Sequence, residues 1–194
     1  MRFILLIFLS LHLPTWADTL EVKNQTFAEA KMNRDFVRFD MASTKIGLFT
    51  SHFSGFVRNF KLEYQVGDHE VHDIKIQFLA SDMDTDNGSR NAKMRAKCLN
   101  EKDFPQMEVQ ISQLLKVVEG EQKVAGVLLV RGQKKPIEMS ISMHKESDSA
   151  WDIEGTSDLS LKDLEIPDPS ISIASVDDHV RIHFRMLRVP GPTH

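Results

Sequence analysis

"VAGVLLVRGQKKPIEMSISM", Val124 to Met143, sets the terms of the fold. Its second half alternates strictly. Ile137, Met139, Ile141 and Met143 fall on one side, and Glu138, Ser140 and Ser142 fall on the other. Successive side chains of a strand point to opposite faces, so this run reads as a β-strand with one face buried. The first half is apolar on both sides, as expected where a strand is covered twice. Gly132 and Pro136 separate the two runs and mark a turn.

The same period spreads outward from this stretch. In "FVRNFKLEY", Phe56, Phe60, Leu62 and Tyr64 share one face. Ile74, Ile76, Phe78 and Ala80 align, as do Met107, Val109 and Ile111, and then Val180, Ile182, Phe184 and Met186. "KIGLFTSH" reads as one further strand, with His52 on the face of Ile46 and Leu48. Gly67-Asp68, Asn87-Gly88, Glu119-Gly120, Gly155, Pro167 and Pro169 supply turns between the runs. Many short strands at this spacing predict an all-β barrel or sandwich. A single helical piece is expected in the long loop after Ala80, capped by Ser89, with Met94 and Cys98 on one face. Asp18 to Arg34 reads as either a leading strand or a loose arm.

A chain of 194 residues suits one domain with its own core, and 41% hydrophobic with 27% charged residues places it among globular proteins. Residues 1–17 read as an export signal. Arg2 starts it, Phe3 to Leu13 is a short apolar run, and Thr15-Trp16-Ala17 offers a cleavage site. The run is too short to span a membrane. The predicted mature domain is therefore 18–194, expected in the periplasm or outside the cell. Losing Arg2 with the leader takes the net charge from −4 to −5. That balance argues against nucleic acid as a partner. A lone cysteine, Cys98, means that no internal disulfide holds the chain.

The stretch "SDMDTDNGSRNAKMRAKCLNEKDFPQ", Ser81 to Gln106, starts like a calcium loop with Asp82, Asp84 and Asp86. With Asp82 as position one, however, Asn87 stands where glycine is needed, and Lys93 stands where a bidentate Glu should close the site. No EF-hand is expected there, and a looser cation site on Asp82, Asp84 and Asp86 stays only as a remote rival reading. His179 and His183 would sit about 13 Å apart along a strand, too far to share an ion. Nucleophile elbows, His-Glu-x-x-His, P-loops and Cys-x-x-Cys are all missing, so no catalytic residue is assigned.

This stretch instead resembles the signature segment of the YceI family, through Asp84, Thr85, Arg90, Asn91, Met94, Arg95, Phe104 and Pro105. The opening stretch resembles the family's Gly-x-Leu-x-Val-x-Gly-x-x-Lys-Pro pattern at Gly126, Leu128, Val130, Gly132, Lys135, Pro136 and Ile137. Asp40, Thr44, Ile46, Leu48 and His52 resemble a third block, with Met41 and Ser43 where Pro and His are usual. The resemblance spans about Phe39 to Met186. It implies a lipocalin-like antiparallel β-barrel of about eight strands, with one short helix in a long loop. It also implies a non-catalytic, exported binding protein for a polyisoprenoid, an isoprenoid quinone or a fatty-acid-like lipid, monomeric or dimeric, needing no cofactor. On that reading Phe60, Ile76, Phe78, Leu128, Met139, Ile182 and Phe184 line a lipid lumen, and His52 meets the head of the lipid at the mouth. The rival reading is a ligand-free envelope protein that works by surface contacts.

Overall fold

The computed structural model describes residues 16–67, 69–147 and 150–190. The export signal expected at residues 1–17 lies outside these except for Trp16 and Ala17. The strands are β1 (Trp16–Lys23), β2 (Phe36–Lys45), β3 (Phe49–Val57), β4 (Asn59–Gly67), β5 (Glu70–Leu79), β6 (Met83–Asp84) and β7 (Gln106–Ile111). They continue with β8 (Leu115–Lys116), β9 (Gly120–Val130), β10 (Gln133–Ser147), β11 (Ala150–Ser160), β12 (Ala174–Val176) and β13 (His179–Pro190). Two helices interrupt them, α1 (Phe27–Met32) and α2 (Gly88–Lys93), the second running on as a π-helical turn over Met94–Leu99.

All the strands join one antiparallel sheet, in the order β1-β4-β5-β7-β9-β10-β11-β13-β2-β3-β6. The ends of this path meet on a single segment. β3 stops at Val57 and β4 resumes at Asn59, so they are one strand bent at Arg58. On one side of it lie β1 and β2, and on the other β5 and β6. Hydrogen bonding thus curls the sheet round on itself, which removes exposed edges. Counting each bent strand once leaves a ring of about eight, the number that the family resemblance implied. The β9–β10 pairing places Leu128 opposite Lys135 and Ile137 opposite Gly126, so the stretch at Val124–Met143 forms two neighbouring staves.

The bend is a built corner. The Arg58 N–H donates to the Asp82 carbonyl at 2.9 Å, and the Asn24 N–H donates to the Arg58 carbonyl at 3.2 Å. Asn59 Nδ2 donates to Asp82 Oδ1 at 2.7 Å, and Asn33 Nδ2 to Asn24 Oδ1 at 3.0 Å. Buried Asp82 and Asn24 are satisfied here, as interior polar groups must be. The corner also resets strand parity. Phe56 does not share a face with Phe60, contrary to the unbroken alternation. It pairs with Arg38 and packs against Phe27 and Phe36 under α1, at ring separations of 5.5 and 6.1 Å.

The Asp18–Arg34 region resolves into β1, paired along its length with β4, and α1. Thr26 caps α1 by accepting from the Glu29 N–H at 3.2 Å, and Glu29 reaches back to accept from the Gln25 N–H at 2.8 Å. Asn87, rather than Ser89, caps α2 by accepting from the Arg90 N–H at 2.9 Å. Its side chain sits two residues before the expected cap, where the chain is still extended.

Candidate functional site

The inner faces of the ring enclose two unlike regions. Toward the end of β2 and the start of β13 lies a cavity of about 380 Å³. Its wall is mostly apolar, with Phe39, Met107, Leu128, Val130, Val180 and Ile182 from the strands. Further along the same strands the lumen is filled. Leu62, Tyr64, Ile76, Ile111, Ile141, Met143, Phe184 and Met186 leave a gap of only about 40 Å³. Small-molecule sites start near 300 Å³, so the first region has room for a ligand and the second does not.

Phe184 lies on the packed side, the next inward position along β13 from Ile182 of the cavity wall. Its strand partner is Gly155, and the tip of its ring comes over that glycine. A Cβ at position 155 would fall 2.0 Å from the ring. Any side chain there would drive the ring out of place, which is why the packing needs glycine beneath it.

The hollow end is roofed rather than plugged. Met94, Cys98 and Leu99 of the helical segment form one part of the roof. A flap over residues 161–173 brings Leu161, Leu164, Ile166, Pro169 and Ile171 across the rest. Lys135 holds the flap through Glu165 at 2.6 Å, and Lys93 donates to the carbonyls of Pro169 and Ser170. The Glu165 carboxyl accordingly stays below its ordinary range, chiefly through the Lys135 hydrogen bond. Cys98 is buried in the wall, and burial pushes its thiol up, away from the reactive thiolate.

The aspartates of the Ser81–Gln106 loop carry the architecture of this roof. Asp84 Oδ1 accepts from the Asp86 N–H at 2.9 Å and from Asn91 Nδ2 at 2.8 Å. Asn91 Oδ1 in turn accepts from the Thr85 N–H and hydroxyl at 2.9 and 2.7 Å. Arg95 donates to the Met83 carbonyl at 2.9 Å. These bonds pin the start of α2 to the strand before it. Among the described residues no group of three metal-ligating side chains converges.

The residues expected in the lumen are spread over several places. Leu128 and Ile182 line the cavity. Ile76 and Phe184 belong to the packed region. Met139 is buried in the core with its methyl over Gly126, where a Cβ would come within 2.8 Å. Phe60 and Phe78 border a separate recess of about 360 Å³ with mixed polar and apolar walls. His52 is exposed, pairs with Ala42, and points away from the cavity that its neighbour Phe53 lines. The reason is a turn inside "KIGLFTSH". Ile46 and Gly47 take positive φ of 52° and 67°, so the run is two strands and the face reading does not carry across it. The same reading missed Phe39 and Met41, although their alternation in β2 is visible, and it missed the flap, which has no period to find.

Comparison with known proteins follows from this geometry. A YceI-like domain model matches residues 29–187. No curated protein sequence matches the chain. Three solved structures share the fold at low identity. BcnA of Burkholderia cenocepacia superposes with a TM-score of 0.63 at 13% identity, covering 78% of this chain and 95% of its own. A polyisoprenoid binding domain from Saccharophagus degradans, implicated in plant cell wall breakdown, gives 0.60 at 11%, covering 81% and 98%. A Campylobacter jejuni YCEI protein gives 0.59 at 14%, covering 75% and 89%. With most of its length matched and its sheet curled into the same barrel, the chain belongs to the YceI-like domain family.

Proposed function

We propose that this protein holds one long apolar chain, prenyl or acyl, in the hollow half of its barrel, and that it does so without catalysis, after export and loss of residues 1–17. The observation that carries the reading is the roofed apolar cavity of about 380 Å³ behind the flap. A polyisoprenoid, an isoprenoid quinone or a fatty-acid-like lipid all fit that chemistry, and the Saccharophagus degradans domain is described as binding the first. Burial of the chain supplies the drive, at about 0.8 kcal/mol per methylene. The wall offers no His, Asp or Glu to a reacting group.

A ligand-free contact protein is the second reading. It draws on the exposed Ile46, Leu48, Phe49 and Ile173, which are 74%, 77%, 69% and 68% accessible and meet where the Ile46 N–H bonds to the Ile173 carbonyl. That patch is separate from the cavity and leaves it unexplained.

Thermal melting of lipid-stripped protein tests the proposal. Farnesol or hexadecanoate at a hundredfold excess over its dissociation constant should raise the melting temperature by about 5–10 °C. Leu128→Trp should fill the cavity and remove the shift while the unliganded melting point holds. A wild type that ignores every chain would sink the reading.

A further inference from the structure

The polar residues of the cavity wall, apart from Thr85, whose hydroxyl is taken by Asn91, are gathered at one end. Ser43, Lys45, Ser89, Arg90 and Lys93 stand where the end of β2 meets α2 and the flap. Beyond them the wall turns apolar, down to Ile182 and Leu128. Lys45, Arg90 and Lys93 are cations, and no carboxylate shares the wall with them.

Arg90 is the informative member. It is half-buried, with the guanidinium carbon 3.9 Å from the centroid of the Phe53 ring. Among the described residues its guanidinium has no ion pair and no hydrogen bond, and this ring contact is its one fixed interaction. Burial holds it below its ordinary pKa with no acidic neighbour to offset the effect, and an arginine remains charged regardless. Lys93 is differently placed, since the flap carbonyls occupy it. Asp168, which feels the Lys93 charge, accepts from the Ser170 N–H at 2.8 Å and lies outside the wall. Lys45 sits exposed at the rim.

A planar fork of N–H donors, half-buried and met by no protein acceptor, is a weakly held arrangement in an empty site, its donors left to water. It becomes favourable when the ligand brings an oxyanion, which such a fork grips with two bonds. The contact with the Phe53 ring already holds the guanidinium in place, so less side-chain freedom is lost on binding.

We propose that the ligand is an acidic amphiphile, its chain in the apolar part of the cavity and its carboxylate or phosphate head on Arg90, within the field of Lys93 and Lys45. The proposal rests on the cavity being a chain site and adds the class of head.

Four probes separate the two claims: hexadecanoate, hexadecanol, farnesyl phosphate and farnesol, each titrated into lipid-stripped full-length mature protein by calorimetry. The acidic member of each pair should bind about tenfold to a hundredfold more tightly than its neutral partner. The pair with the larger ratio tells carboxylate from phosphate. Arg90→Met should bring both pairs within about twofold while leaving hexadecanol and farnesol binding intact, and that retained binding verifies the fold. Arg90→Lys should keep part of the preference, since charge remains and the fork is lost. Raising salt should shrink the preference and spare the neutral probes. Equal binding within both pairs would overturn the acidic head and leave the chain site standing. Binding of none of the four would overturn both.

Discussion

The two halves of the lumen are lined by the same kinds of residue and end differently. In the packed half Met143, Ile141, Leu115 and Met186 are 0%, 2%, 2% and 3% exposed and interlock to leave about 40 Å³. In the hollow half Val130, Phe39 and Leu128 are buried as deeply, at 1%, 3% and 6%, around about 380 Å³. Burial from solvent and filling are therefore separate properties. What distinguishes the halves is how each end is shut. Large side chains, with Phe184 laid over Gly155, cross the bore at one end. At the other a helix and a flap close over the staves from outside. An eight-stranded barrel has an interior that side chains can just fill, or that can hold one small ligand. This chain has a filled stretch and a hollow one in the same bore.

Truncation should separate the halves most sharply. Ile141→Ala, in the packed half, should cost about 2–5 kcal/mol in urea unfolding of lipid-stripped protein, because its neighbours cannot collapse into the space. Leu128→Ala, on the cavity wall, should cost about 1–2 kcal/mol, since one flank of that side chain has no packing partner to lose. Equal costs would break the comparison.

A smaller effect sharpens it from the alkaline side. Burial pushes the Tyr64 hydroxyl up to about 12, with the Asp18 charge adding to the shift. A folded pKa raised above the ordinary value near 10 means that the folded state keeps a proton that the unfolded chain releases. The contribution is whole below pH 10 and is lost as pH rises through 12, for a fall of about 1–2 kcal/mol. Tyr64→Phe should flatten stability across that window and leave it unchanged at pH 7. A wild type with no alkaline slope would mean that the packed half is open to water.

The strands were legible because half-buried staves leave a period of two in the sequence. The runs at Ile137–Met143 and Val180–Met186 are strands that face inward as read. Closure was legible only as a class, since the joint depends on one bend at Arg58 and on hydrogen bonds between segments far apart in sequence. α1 carried a signal that the strand pattern overshadowed, Thr26 followed three residues later by Glu29. The site was legible in part. Alternation identifies residues that face inward, and Ile182 and Phe184 satisfy it equally, so it cannot say which of them meets a void. Leu161, Leu164, Ile166 and Ile171 follow no helix or strand period, and the flap they form shows only once the chain is folded. His52 was misplaced for a local reason, a turn at Ile46 and Gly47 hidden inside an apolar run.

The central claim is that the hollow half holds a chain. Its most direct test is native mass spectrometry of the protein purified without detergent from a bacterial host, followed by organic extraction. The account expects one long-chain lipid per protein, absent from a Leu128→Trp variant that still folds. A wild type that flies empty, yields no stoichiometric lipid on extraction, and whose melting no prenyl or acyl chain shifts would contradict it.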